Sequence, residues 1–247
     1  MYFLFEREKM HPRRRSFIRG YKMCARTYVK TKSSVLAQLF SAHERDSFHP
    51  AFNIAPTDAL PVVRVNPNQG ERELVTTRWG LVPPWSKDTK SAARCINARA
   101  ETVAGKPSFR SAFVKRRCVV VTDGFYEWRK EGKKRIPFAI HDPQGAPLAM
   151  AGLWELWKDP VDPEVRLRSS TILTTSANED IENLHHRMPV LLQESGISLW
   201  LSDTQDSAAL QEILLPAPAH SLVQYEVSPV VNQVHSTGPE LLFPANS

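Results

Sequence analysis

Short runs rich in valine, isoleucine, leucine and aromatic residues recur along the chain after Met23, separated by proline, glycine and charged residues. A run of this kind is typical of a β-strand that is buried on at least one face. The segments 158–168 and 215–220 are predicted loops because of their proline and charged residues. The pattern predicts strands at 60–65, 73–79, 118–122, 136–141, 148–157, 170–175, 188–192 and 222–227.

Helical spacing of apolar residues is less common than the strand pattern. It is clearest at 33–42, where valine, leucine and phenylalanine recur after two serines. Because strands and helices do not alternate regularly, a doubly wound parallel sheet is not expected. We predict a single α+β domain over 23–247, with a curved, mostly antiparallel, barrel-like β-sheet core and peripheral helices. The further predicted helices are at 108–115, 178–185, 194–201 and 206–214.

The net charge of +6 is concentrated at the start of the chain. Residues 1–22 hold seven Lys or Arg and two Glu, whereas the other 225 residues hold 25 basic and 24 acidic side chains. Net charge is therefore no evidence that the body of the protein binds nucleic acid. A DNA-binding surface there requires local clustering of basic side chains.

The segment 1–22 has no clear period and combines a short apolar start with a run of arginines. Three interpretations remain open. The segment is an extension produced by a start codon assigned upstream of Met23, or a disordered basic arm that touches nucleic acid, or an organelle-targeting peptide. Glu6 and Glu8 count against the last, because such peptides are poor in acidic residues.

The three cysteines are Cys24, Cys95 and Cys118, and none forms a CxxC pair. This argues against a disulfide framework and a structural zinc site, and it fits a reducing cytosol. No window approaches the roughly 18 consecutive apolar residues of a membrane helix. The first residues also lack the apolar run and cleavage site of a secretory signal. We therefore expect a cytoplasmic protein without membrane contact.

Six short segments hold the residues that are candidates for chemistry. They are MCAR at 23–26, FNIAP at 52–56, WGLVPPW at 79–85, INARAET at 96–102, DGFYEW at 123–128 and LHHRMPVLL at 184–192. In this order, and with VSPVVNQV and GPELL near the end, they resemble the SRAP family (SOS response-associated peptidase). The resemblance covers essentially 23–247. It implies the SRAP fold and a monomer that acts on abasic sites in single-stranded DNA, near the nucleoid, without a cofactor.

The resemblance makes Cys24 the reactive group, because the family begins Met-Cys-Gly-Arg and Met23-Cys24-Ala25-Arg26 matches that start. An N-terminal cysteine carries an amine and a thiol two carbons apart. The amine can condense with the aldehyde of an opened abasic sugar, and the thiol can then close a thiazolidine ring. The second step is intramolecular, so little entropy remains to be lost.

The α-amine of Cys24 must be free for this reaction, because an amide nitrogen cannot form the imine. Residues 1–23 must therefore be absent or removed. Reference pKa values of about 7.7–8.0 for an α-amine and about 8.5 for a thiol leave both groups partly reactive near neutral pH. Without the surrounding motifs, an inert thiol would be the simpler interpretation.

Glu127 and His185 are the predicted proton-transfer groups. Glu127 is flanked by three aromatic residues in DGFYEW, and partial desolvation would raise its pKa and suit it to proton transfer. It resembles the catalytic glutamate of the family, although an exposed strand position is the alternative. His185 resembles the family histidine that promotes sugar opening and crosslink reversal. The pair with His186 lacks a third ligand of suitable spacing, so no metal site is expected.

Further candidate residues are expected to bind or surround the DNA. Asn97 can hold the imine or hydroxyl of the opened sugar, and Arg99 can clamp a phosphate through its planar guanidinium. Arg26 is predicted to contact a flanking phosphate. Asn53 and Pro56 are predicted to shape the pocket near Cys24, with a turn of no functional role as the alternative.

The proline-rich stretch 79–85 predicts a stiff aromatic loop that stacks on an unpaired base or wedges against a duplex end. Trp85 is expected closer to DNA than Trp79, which lies within a predicted strand and suits core packing. A candidate basic patch, for which ordinary solvated surface is the alternative, comprises Lys87, Lys90, Arg94, Arg110, Lys115, Arg116 and Arg117.

Two features depart from the family pattern. Ala25 replaces the usual glycine after the cysteine, which restricts the backbone if φ must be positive there. The leading segment, if retained, blocks the aminothiol. Two other functions therefore remain open: a cysteine peptidase with Cys24 as nucleophile and His185 as base, acting on other proteins or on its own N-terminus, and a non-covalent module that binds single-stranded DNA.

Overall fold

The computed structural model describes residues 25–245. Cys24 and the predicted extension 1–22 lie outside the described residues. The described part contains 13 strands, four short α-helices and three 3₁₀ turns. The 3₁₀ turns are Thr89–Arg94, Pro229–Asn232 and Pro239–Leu242. The helices are α1 (Ser33–Leu39), α2 (Arg110–Lys115), α3 (Glu194–Leu201) and α4 (Ser207–Glu212). The strands are β1 (Thr27–Val29), β2 (His43–Glu44), β3 (Ala51–Ile54), β4 (Ala59–Val65), β5 (Arg72–Trp79), β6 (Asn97–Arg99), β7 (Arg117–Thr122), β8 (Gly124–Glu131), β9 (Lys134–His141), β10 (Leu148–Lys158), β11 (Arg166–Ser176), β12 (Arg187–Pro189) and β13 (Val223–Glu226).

Five of the strands close into a barrel. The order β11-β10-β7-β4-β5 is antiparallel throughout, and β5 then pairs with β11 in parallel through Arg78 with Ser169 and Trp79 with Ser170. Closure removes the unpaired edges that an open sheet would expose. Buried apolar residues of all five strands belong to the main hydrophobic core.

A second, fully antiparallel sheet has the order β13-β9-β8-β1-β3. The chain passes from β7 of the barrel into β8 of this sheet through Asp123 alone. The carboxylate of Asp123 accepts hydrogen bonds from the backbone N–H groups of Lys30 and Thr31 at 2.8 and 2.9 Å. The connection between the two sheets therefore also fixes the end of β1, the strand that follows Cys24 in the chain.

Two short strands extend the barrel at one end. Beyond its pairing with β5 and β10, β11 pairs with β6 through Ile172–Asn97 and Thr174–Arg99, and with β12 on its other side. The polar motifs of β6 and of the segment before β12 are thereby brought to the same end of β11.

The structure confirms the predicted fold class: a single α+β domain with a mostly antiparallel barrel-like core and peripheral helices. Strands occur in each of the eight predicted regions, and helices occur at four of the five predicted ones. The predicted helix at 178–185 is wrong, because this stretch is a succession of turns. Its Asp180 carboxylate accepts the backbone N–H groups of His220 and Leu222, so the segment is tied to a neighbouring loop. No helix within residues 25–245 is long and apolar enough to cross a bilayer.

Candidate active site

The start of the described chain runs alongside the strand that carries Glu127. Thr27 pairs with Phe125, and the N–H of Tyr126 donates to the carbonyl of Arg26 at 3.0 Å. Glu127 is the next residue on that strand, and only 4% of it is exposed. The backbone two residues beyond Cys24 therefore lies beside a buried carboxyl group.

Arg26, immediately before β1, and Asn53, on the adjacent strand β3, form a buried hydrogen-bonded pair. Nη1 of Arg26 donates to Oδ1 of Asn53 at 2.6 Å and to the carbonyl of Val231 at 2.9 Å. Nδ2 of Asn53 donates to the carbonyls of Gln233 and Ser236, both at 2.9 Å. Burial lowers the pKa of Arg26, and the charge of Asp58 opposes this effect. These two side chains thus bind each other and backbone carbonyls between residues 231 and 236.

Pro56 lies in a turn that joins β3 to β4, and this turn is hydrogen-bonded to Trp79. The N–H of Thr57 donates to the carbonyl of Trp79 at 2.9 Å, and the N–H of Trp79 donates to the carbonyl of Asp58 at 3.0 Å. The indole Nε1 of Trp79 donates to the carbonyl of Ile96 at 2.9 Å. Trp79 is fully buried, as predicted for a core residue, and it connects the FNIAP turn to the INAR segment.

Asn97 and Arg99 lie on β6 against the end of β11. Asn97 is half-buried and Arg99 is exposed. Glu101, just after β6, makes a two-pronged ion pair with Arg187 of β12. The hydrogen bond from Arg187 is the main cause that lowers the pKa of Glu101. This ion pair holds β6 and the segment of His185 together.

His185 is half-buried and has a defined tautomer when neutral. Its Nδ1 accepts a hydrogen bond of 3.0 Å from the N–H of Arg187, so the ring proton of the neutral form is on Nε2. Burial lowers the pKa of His185, and the charge of the adjacent His186 lowers it further. In this neutral form Nε2–H is a hydrogen-bond donor, and the ring can act as a general acid only when it is protonated to the imidazolium.

Trp85 is 65% exposed and lies on a loop that is fixed by hydrogen bonds of the neighbouring Ser86. The indole of the buried Trp157 donates to the carbonyl of Ser86 at 2.8 Å, and the hydroxyl groups of Ser86 and Ser91 are 3.0 Å apart. The loop forms the wall of an open depression of about 630 Å³. The depression is lined by Trp85, Ser86, Lys87, Asp88, Lys90, Ser91 and Arg94.

The predicted basic patch is only partly present at the surface. Arg117 is 7% exposed, and its guanidinium donates to carbonyls at the ends of α2 and α3, among them Phe113, Trp200 and Ser202. Arg116 pairs with the buried Glu155. The prediction that Arg116 and Arg117 belong to a surface patch is therefore wrong. Carbonyls at the carboxyl ends of helices and a buried carboxylate attract cations, as a phosphate does, and these internal groups bind the two guanidinium groups. Lys87, Lys90, Arg94, Arg110 and Lys115 remain at or near the surface.

The two cysteines within the described residues are both buried. Burial raises the pKa of Cys118, so its thiolate is suppressed. In the described part of the chain no group of three or more His, Cys, Asp or Glu side chains is arranged to hold a metal ion.

The sequence analysis assigned no role to Arg187 or to the segment 228–242. Arg187 lies within the LHHRMP motif, and Glu101 lies within the INARAET motif. The opposite charges of these two motif residues are a sequence signal for the ion pair between them. The contacts of Arg26 and Asn53 with the end of the chain had no sequence signal, because more than 170 residues separate the partners.

The sequence profile of the SOS response associated peptidase (SRAP) family matches residues 23–234. The abasic site processing protein YoqW of Bacillus subtilis is 37% identical over 225 residues, which cover 89% of this chain and 99% of that protein. The abasic site processing protein HMCES of Gallus gallus is 31% identical over 263 residues, covering 90% of this chain and 78% of that protein.

Solved structures share the fold. A protein from Bordetella bronchiseptica superimposes with a TM-score of 0.70 at 27% identity, covering 83% of this chain and all of that one. A protein from Bacteroides thetaiotaomicron gives a TM-score of 0.80 at 24% identity over 90% of this chain and 100% of that one. By its sequence profile and its relatives, this chain belongs to the SRAP family.

Proposed function

We propose that this protein captures abasic sites in single-stranded DNA as a covalent thiazolidine adduct of Cys24. The observation that carries the proposal is the position of the residues that directly follow Cys24. The family match begins at Met23, and the hydrogen bond from Tyr126 to the carbonyl of Arg26 holds the residues that follow Cys24 beside the buried Glu127. The relatives that are named abasic site processing proteins support the same substrate.

The adduct forms in two steps that together release one water molecule. The α-amine of Cys24 adds to the aldehyde carbon of the opened deoxyribose, and loss of water gives an imine. The thiol then adds across the C=N bond, its sulfur bonding to carbon and its proton passing to nitrogen. Glu127 accepts and returns protons in these steps. The imidazolium form of His185 donates its Nε2 proton to the ring oxygen as the sugar opens, and the ring is left neutral.

Three further predicted residues bind the DNA around the lesion. Arg99 is exposed at the end of β6 and offers its guanidinium to a phosphate. Asn97, two residues earlier, offers an amide to the opened sugar. Trp85 offers an exposed ring on a firmly held loop for stacking with an unpaired base, and the cations of the depression beside it attract the backbone.

The first test uses a protein expressed from Met23, whose initiator methionine is removed so that Cys24 is the N-terminal residue, and an oligonucleotide with one abasic site. We expect a product that survives heating in denaturant and whose mass equals protein plus DNA minus one water. Cys24→Ser retains the amine but replaces the thiol, so an imine forms that reverses and no stable ring results. A stable product of unchanged yield from Cys24→Ala would refute the proposal, and a purely reversible, salt-sensitive complex would favour a non-covalent DNA-binding module.

A second candidate activity is removal of residues 1–23 by the protein itself. The 22 residues that precede the family match and the peptidase in the family description favour it, and it is compatible with DNA attachment. Cys24 would be the nucleophile and His185 its base, accepting the thiol proton at Nδ1 once this atom is released from the N–H of Arg187. Intact mass of the full-length protein tests this: a species that begins at Cys24 and is absent from His185→Ala supports self-processing, whereas a retained start in wild type contradicts it.

A further inference from the structure

The segment 228–242, which we call the C-terminal segment, contains the backbone carbonyls that the side chains of Arg26 and Asn53 bind. Val231 and Leu241 of this segment are fully buried, in a cluster with Tyr28 and Tyr126 that is separate from the main core. The cluster also contains Ala139 of β9 and Val227. The C-terminal segment is thus packed directly against β1, the strand that follows Cys24.

Hydrogen bonds from side chains fix the backbone of the C-terminal segment. Arg26 and Asn53 together donate to the carbonyls of Val231, Gln233 and Ser236, at 2.9 Å in each case. These carbonyls lie in the 3₁₀ turn Pro229–Asn232 and in the residues just after it, which form no strand. The side chains of Arg26 and Asn53 therefore supply hydrogen-bond donors that a neighbouring strand would otherwise supply.

A third tie joins the C-terminal segment to the strand of Glu127. Nε1 of Trp128 donates to Oδ1 of Asn232 at 2.6 Å, and the guanidinium carbon of Arg26 is 6.0 Å from the centroid of the Trp128 ring. Trp128 adjoins Glu127 in the chain. The segment thus connects β1, β3 and β8 near the point where the described chain begins.

The guanidinium of Arg26 is poorly suited to bind a phosphate from solution. Only 9% of the residue is exposed, and its Nε is buried. Two-pronged binding of a phosphate requires two accessible N–H groups on one edge of the guanidinium. Nη1 is already committed to two acceptors inside the protein. These contacts favour an internal role for this cation.

We propose that Arg26 and Asn53 are positioning residues, which bind the C-terminal segment and thereby fix the direction in which the chain leaves β1 toward Cys24. This inference rests on the proposed function. Arg26 is held through its backbone by Tyr126 and through its side chain by Val231, so little freedom remains two residues from the amine. A displacement of about 1 Å in a reacting group can reduce a rate by about 100-fold.

The test compares Arg26→Gln and Asn232→Ala with wild type, all starting at Met23. Three quantities are measured: the adduct-forming rate constant at saturating abasic DNA, the salt dependence of binding to intact single-stranded DNA, and amide hydrogen exchange within 228–242. Asn232 is exposed, so its truncation is expected to preserve folding even if Arg26→Gln does not. Arg166→Gln is the matched control. Arg166 is exposed at the first residue of β11, and β6 and β12 pair with the other end of that strand.

We expect both variants to slow adduct formation, Arg26→Gln by about 10- to 100-fold and Asn232→Ala by less. Hydrogen exchange in the C-terminal segment should accelerate, and the salt dependence of DNA binding should not change. Loss of a phosphate contact would instead lower the slope of log affinity against log salt by about 0.7. That lower slope in Arg26→Gln, or an unchanged rate in both variants, would overturn the inference.

Failure of the proposed function would be distinguishable from failure of this inference. If wild type forms no adduct, the proposed function fails, and hydrogen exchange still reports whether Arg26 holds the C-terminal segment. If wild type forms the adduct but exchange within 228–242 is the same in Arg26→Gln, the positioning role alone fails.

Discussion

The imidazole rings of His185 and His186 are stacked, with centroids 4.3 Å apart and 23° between their planes. Two stacked rings resist carrying two positive charges, so protonation of one opposes protonation of the other. The pKa of His185 is lowered first by burial and then by His186. His185 therefore remains neutral to a lower pH than an isolated histidine.

Replacing His186 with aspartate should raise the pKa of His185, because a side chain that lowers this pKa is replaced by a negative one. The protonated form of His185 then persists to higher pH, and the pH profile of adduct formation and reversal should shift toward alkaline values. NMR titration of the His185 ring measures the pKa directly. His186→Asn, which removes only the positive charge, should give a smaller shift, and a shift to lower pH in His186→Asp would contradict the explanation.

Trp85 and Trp79 should respond in opposite ways to truncation. Trp79 is fully buried and donates to Ile96, so Trp79→Ala should destabilise the protein by about 3–5 kcal/mol. Trp85→Ala should change stability by less than about 0.5 kcal/mol but weaken binding to single-stranded DNA by about 1–3 kcal/mol. Denaturant unfolding and fluorescence anisotropy measure the two effects. Unchanged DNA affinity in Trp85→Ala would exclude stacking on this ring.

Gly124 allows β8 to approach β1 closely. A Cβ atom at this position would lie 2.3 Å from Oη of Tyr28 and 2.4 Å from the carbonyl of Ile140. Gly124→Ala should therefore destabilise the protein by about 1–3 kcal/mol. Gly105→Ala is the control, since the nearest atom to its added Cβ, the Thr102 carbonyl oxygen, would be 3.9 Å away. Equal unfolding midpoints for the two variants would show that β8 can move away.

The strands that form the barrel could be predicted from sequence, because each buries a run of β-branched or aliphatic residues. The strand β8 was missed because its outer half, from Trp128 to Glu131, is polar and charged. It is a strand because β1 and β9 pair with it on both sides. The strands β1, β2, β3 and β6 have two to four residues, too few for a period to be visible.

The wrong helix at 178–185 shows how local spacing can mislead. Ile181 and Leu184 are buried at helical spacing, but the side chains of Asn178 and Asp180 bond to the loop 217–222 instead of continuing a helix. For the candidate site, the motifs identified the residues, whereas their partners depended on tertiary contacts. The bond between Arg26 and Val231 spans 205 positions and has no local signature.

The ion pair between Glu101 and Arg187 should contribute a small, pH-dependent stabilisation. The folded-state pKa of Glu101 is lowered, so its contribution is complete above the unfolded pKa of about 4.3 and disappears as pH falls through the lowered folded value. Half of the Glu101 side chain is exposed, so Glu101→Gln should cost less than about 1 kcal/mol at pH 7. The free energy of unfolding, measured from pH 7 to pH 3, should converge with wild type at the acid end. Glu164→Gln, at an exposed loop position, should show no such convergence.

Replacing Glu127 with glutamine should separate proton transfer from DNA binding. The two side chains have the same shape, but the amide cannot exchange a proton with the imine nitrogen or the departing water. Adduct formation by the Met23-start protein should slow by about 100- to 10,000-fold, while affinity for intact single-stranded DNA should be retained, because a negative charge has been removed. Glu131→Gln is the matched control, since Glu131 lies on the same strand but is exposed and pairs with Arg129. Stopped reactions resolved on denaturing gels give the rate constants. If Glu127→Gln and Glu131→Gln form the adduct equally fast, the buried carboxyl group takes no part in the chemistry, and the proton must move through His185 or solvent.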